Sequence, residues 1–113
     1  ATDRATGPCY GRCMFHHVLL FRWTSEATQE QIAAARDALA ALDGTIPGMR
    51  SYRVGEDLGL RPDTSYDFAV VGLYDDESAW RKYVDDPQHR AVGDALVLPI
   101  LAEHASVQFA DPT

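Results

Sequence analysis

The sequence predicts an α+β domain, with helices laid on one face of a four-stranded antiparallel sheet. Two observations carry this. Apolar residues alternate along three separated segments, as they do on strands, with a shorter and more polar fourth segment after a Pro-Gly turn, and recur at helical spacing in the longer stretches between strands. The resulting order is strand, helix, strand, strand, helix, strand, and a chain of 113 residues is one domain's length.

The first strand runs from Phe15 to Trp23. Phe15, His17, Leu19, Phe21 and Trp23 share one face, and His16, Val18, Leu20 and Arg22 share the other. Thr28 opens the first helix, with Gln31 three residues on in a capping-box pattern. Ile32, Ala35, Leu39 and Leu42 form its inner stripe, and Gly44 closes it. After the Pro47-Gly48 turn comes a short strand from Met49 to Val54, then a loop from Gly55 to Pro62. Tyr66 to Tyr74 is a strand with two apolar faces, so it has to be covered on both sides. Asp75-Asp76-Glu77-Ser78 caps a helix carrying Ala79, Trp80, Tyr83 and Val84, which breaks at Asp85-Asp86-Pro87. A further helix from His89 to Leu98 stops at Pro99, and a last strand covers Ile100 to Phe109. This is the ferredoxin-like plan.

Ten basic residues against seventeen acidic give a net charge of −7, which argues against nucleic acid or an anionic membrane surface as partner. No run of eighteen apolar residues offers a membrane helix, and the expected location is cytoplasmic. Residues 1–13 differ in composition from the rest and read as an N-terminal leader, leaving 14–113 as the domain. Cys9 and Cys13 fall in that leader; such a pair could close a small disulfide or hold a soft metal, but with no second cysteine pair the two read as incidental thiols, because two thiols alone do not make a metal site. The acidic runs at 75–77 and 85–86 are accounted for by helix capping and a solvated surface. No metal and no cofactor is expected.

Helices on one side leave the other face of the sheet open, and the strand from Tyr66 to Tyr74 has no polar face to show there. A second copy, packed sheet to sheet about a two-fold axis, is the simplest cover. The expected unit is a homodimer, a closed α/β barrel.

Three segments carry a family resemblance: Phe15-His16-His17-Val18-Leu19-Leu20-Phe21-Arg22-Trp23, Ile46-Pro47-Gly48-Met49 leading to Val54-Gly55-Glu56-Asp57, and Tyr83-Val84-Asp85-Asp86-Pro87-Gln88-His89. In that order the chain resembles the dimeric α/β barrel, or stress-responsive A/B barrel, family, which implies the same ferredoxin-like homodimer. It is also similar to that family's polyketide cyclases of the olivetolic acid type. Their catalytic Tyr-x-x-x-Pro-x-His segment is matched by Tyr83, Pro87 and His89, and their first-strand pocket histidine by His17. A third-strand pocket histidine falls on Phe68, and first-helix pocket aromatics fall on Arg36 and Leu39, so a pocket here has a different shape.

The resemblance implies a cofactor-free cyclase of secondary metabolism acting on a polyketide-like ligand. His89 would be the general base, with Tyr83 and His17 orienting or polarising a carbonyl. The apolar space between sheet and helices would be lined by Leu19, Phe21, Leu39, Phe68, Val70 and Val92. The alternative is a non-catalytic homodimer that binds a small apolar ligand or none, in which His17 is a satisfied core histidine and Tyr83 fills core. A cofactor-free monooxygenase rests on fold analogy alone.

Overall fold

The computed structural model describes residues 13–112. Strand β1 (Cys13–Trp23) leads to helix α1 (Gln29–Ala40), then β2 (Met49–Glu56) and β3 (Phe68–Tyr74). Helices α2 (Glu77–Asp85) and α3 (Pro87–Val92), a π turn at Gly93–Val97 and a 3-10 turn at Leu98–Ile100 precede β4 (Leu101–Pro112). The sheet order is β2-β3-β1-β4, every pairing antiparallel, as the ferredoxin-like plan requires. Strand β1 begins one residue before the expected domain start. Cys13 is disulfide-bonded, so the reading of it as an incidental thiol is corrected. Cys9 and the rest of the expected leader lie outside the described residues.

Local chemistry sets the element ends. The Thr28 side chain accepts from the Gln31 N–H and the Gln31 side chain accepts from the Thr28 N–H, completing the capping box of α1. The helix ends at Ala40, however, earlier than Gly44 suggested. Turns fill residues 41–44, and Gly44, the last of them, takes a left-handed φ of 79°. Gly48 is required at its turn: φ is 87°, and a Cβ there would stand 2.7 Å from Cβ of Ala79 at the start of α2.

Pro87 does more than break a helix. It occupies the first turn of a new one, whose N-cap Asp86 accepts from the His89 N–H at 3.0 Å. The expected helix from His89 to Leu98 is thus three short turns, the last containing Pro99.

The core lies between the sheet and the helices. Phe21, Phe68, Val70 and Tyr74 from the sheet meet Ala35, Leu39, Ala79, Tyr83 and Val97 from the helical layer. On the opposite sheet face Val71, Val107 and Phe109 are 40%, 54% and 47% exposed. Strand pairing sets Val18 between Val71 and Val107, and His16 beside Phe109. That face is apolar at its centre, with the Arg22–Glu103 and His16–Asp111 pairs toward its ends. Among the described residues no helix is long and apolar enough to cross a membrane.

Candidate functional site

One transverse row of the sheet positions the site. Gly72 on β3 pairs with Tyr52 on one side and His17 on the other, and His17 in turn pairs with Gln108 on β4. Tyr52 and His17 are buried, so both side chains enter the layer beneath the helices. From above, α2 brings Trp80 and Tyr83, and α3 brings His89.

Tyr83 is the hub. Its ring centroid lies 4.0 Å from that of His89, 5.4 Å from Tyr52, 5.7 Å from Tyr74 and 6.0 Å from His17. The Tyr83 and Tyr52 hydroxyls are hydrogen-bonded at 2.8 Å. With Tyr52 as donor, the Tyr83 proton is free to point elsewhere. Burial pushes the Tyr83 hydroxyl up to about 12, partly offset by the bond from Tyr52, while burial and then the charge of Tyr83 raise Tyr52 further. All three tyrosines of the cluster are neutral donors at physiological pH.

Both histidines are held neutral. Burial, and then repulsion from His89, lower His17 from 6.5 to about 4. Its Nδ1 is 2.9 Å from Nε2 of Gln108. With the amide donating, the imidazole proton sits on Nε2. Burial also lowers His89, against the opposing pull of the Val84 carbonyl and the Asp86 carboxylate. Its Nδ1 is buried with no hydrogen-bond partner among the described residues. A neutral imidazole and an adjoining phenol are the parts that a proton transfer next to a carbonyl needs.

His17, Tyr83 and His89 therefore meet in one cluster. Of the expected pocket lining, Phe21, Leu39, Phe68 and Val70 are core side chains, and Leu19 and Val92 pack against that core. Two open depressions lie elsewhere. One, of about 550 Å³, is bounded by Ser78, Arg81, Lys82 and Asp85 to Pro87. The other, of about 510 Å³, is bounded by Trp23 to Ser25, Ile32, Glu56 to Gly59 and Asp67. Among the described residues no group of three or more His, Cys, Asp or Glu side chains is placed to hold a metal ion.

Four site residues escaped the sequence reading: Tyr52, Tyr74, Trp80 and Gln108. The alternation in Tyr66–Tyr74 already put Tyr74 on the face of Phe68 and Val70. Placing Tyr52 beside His17 required the strand register, which alternation does not supply.

The model of the stress responsive A/B barrel domain matches residues 15–111. The chain belongs to this family. A curated relative, an uncharacterized protein of Streptomyces coelicolor, is 30% identical over 80 residues, 69% of this chain and 81% of that protein. The A/B barrel chain is also similar to a dimeric ferredoxin-like protein of unknown function from Thermobifida fusca. That match has 41% identity and a TM-score of 0.80, covering 88% of this chain and 92% of the other. A hydroxynitrile lyase from Passiflora edulis shares the fold at 18% identity and a TM-score of 0.74, covering 87% of this chain and 93% of the lyase.

Proposed function

We propose that this A/B barrel protein is a cofactor-free acid–base catalyst of the polyketide cyclase kind, removing a proton next to a carbonyl and closing a carbon–carbon bond. The observation that carries the reading is the close contact of Tyr83 and His89, with centroids 4.0 Å apart, against a neutral His17. His89 takes the α-proton, the C–H electron pair forms a carbon–carbon π bond, and the carbonyl π pair moves onto oxygen, which the Tyr83 hydroxyl holds as an enolate. The enolate carbon attacks a second carbonyl carbon in an aldol step. Protonated His89 then returns its proton to the new alkoxide, so the site ends as it began. Tyr52, donating to Tyr83, strengthens the Tyr83 donor. His17, fixed by Gln108, stays uncharged and orients the carbonyl.

The working unit in this reading is a homodimer, with the apolar face around Val18, Val71, Val107 and Phe109 covered by a second copy. Support comes from the Thermobifida fusca protein, itself described as dimeric. The ligand is small and polyketide-like, an apolar carbon chain that carries carbonyl oxygens, and enters between sheet and helices.

The test is the fate of a linear poly-β-keto thioester with wild type and with His89→Ala. One dominant aldol product with wild type, and the spontaneous mixture with His89→Ala, is expected. The same mixture from both would leave the non-catalytic ligand-binding homodimer as the reading.

A further inference from the structure

The row that joins Tyr52 to His17 has a glycine at its centre, and the space over that glycine is taken. A Cβ on Gly72 would lie 2.7 Å from Cε1, 2.8 Å from the hydroxyl oxygen and 3.0 Å from Cζ of Tyr74. The Tyr74 ring therefore folds back along its own strand and sets its hydroxyl between the side chains of the two residues that flank Gly72, Tyr52 and His17. Tyr74 is 0% exposed, and among the described residues its hydroxyl has no hydrogen-bond partner. A buried hydroxyl without a partner is costly, and few such groups persist in folded proteins without a reason.

The cost is also avoidable here. Phenylalanine would fill the same volume over Gly72 without the orphaned oxygen. Nearby, Nε1 of Trp80 is likewise buried with no partner among the described residues, and an indole N–H can only donate. The Trp80 ring lies 5.6 Å from His17, centroid to centroid. Two unused donors flank the histidine and the Tyr83 hub, so the complement they ask for is a hydrogen-bond acceptor.

We propose that Tyr74, seated over Gly72, is a ligand-contacting residue whose hydroxyl donates to a carbonyl oxygen of the bound molecule, with the Trp80 indole N–H as a second donor. This rests on the acid–base reading above and deepens it. The site selects oxygen-bearing carbonyl ligands over apolar ones of the same shape, and Tyr74 sets that preference independently of the base His89. A hydroxyl that the site leaves unpaired when an apolar analogue binds discriminates more strongly than any added apolar contact.

The experiment is an NMR titration of the intact protein with two small probes, cyclopentanone and cyclopentane. They differ in one carbonyl oxygen, and neither undergoes the proposed cyclisation. Wild type is expected to bind the ketone in preference to the hydrocarbon. Tyr74→Phe is expected to reduce that preference about tenfold, through weaker ketone binding alone, with its urea midpoint equal to or above that of wild type. Gly72→Ala keeps the phenol but displaces its ring, and is expected to reduce the preference as well.

Three results would overturn the proposal: an unchanged preference in both variants, a loss of stability in ligand-free Tyr74→Phe, or no binding of the ketone by wild type. Because equilibrium binding of these probes does not involve His89 chemistry, an unchanged preference leaves the cyclase reading standing. Conversely, a tenfold loss combined with an inactive protein would leave Tyr74 as a binding determinant only.

Discussion

Acidification strikes the site through His17. In the folded chain its ring is 6% exposed and its value is lowered to about 4, whereas an unfolded chain titrates it near 6.5. The unfolded state binds the proton first, so His17 stabilises the fold fully above pH 6.5. That stabilisation declines as pH falls from 6.5 toward 4, and none of it remains well below 4. Between pH 7 and pH 4 the loss from this one side chain is about 3 kcal/mol, a large fraction of a small domain's stability. Structure supplies the cause. Protonation puts a charge in the core, adds a donor at Nδ1 that faces the Gln108 amide, and sets a cation near His89. The assay is urea unfolding at fixed protein concentration across pH 4 to 8, for wild type and His17→Gln. His17→Gln is expected to lose about 3 kcal/mol less than wild type over that range, retaining the slope that the lowered His89 contributes. Parallel curves would refute the reasoning and mean that the ring titrates as if in water.

Phe109→Glu places a charge in the apolar sheet face and is expected to weaken self-association at least a hundredfold, about 3 kcal/mol, read by sedimentation equilibrium. Tyr52→Phe leaves the buried Tyr83 hydroxyl without its 2.8 Å partner, and thermal unfolding should show a loss of about 1–3 kcal/mol. Gly48→Ala forces a left-handed φ of 87° on a side chain 2.7 Å from Ala79, and should cost about 2–4 kcal/mol in urea melts, with α2 displaced.

The fold was legible because its signals are local. Alternation marked β1, β3 and β4, the Pro47-Gly48 turn preceded the shorter, more polar β2, and Thr28 with Gln31 marked the start of α1 correctly. The two apolar faces of β3 foretold the open sheet face on which Val71, Val107 and Phe109 now stand. The stretch after Tyr83 was harder. Pro87 reads equally as a helix breaker and as the first residue of a helix, and only the Asp86 cap decides between them. At the site, Tyr83, His89 and His17 were named from a segment resemblance, and their convergence follows from α2 crossing above the row of His17. Tyr74 stayed out of view because its role depends on a ring folding back over a glycine two residues earlier. No periodicity encodes that contact. It is a consequence of Gly72 lacking a Cβ between two large neighbours.

The proposed chemistry depends most directly on His89 as the base. Its test is the pH dependence of aldol product formation from a poly-β-keto thioester, for wild type and His89→Gln, with folding monitored by circular dichroism. Wild type should gain activity with a single ionisation below 6.5, since burial lowers His89, and His89→Gln should remain folded with only the spontaneous rate. A folded His89→Gln protein that keeps the wild-type rate and profile would contradict it.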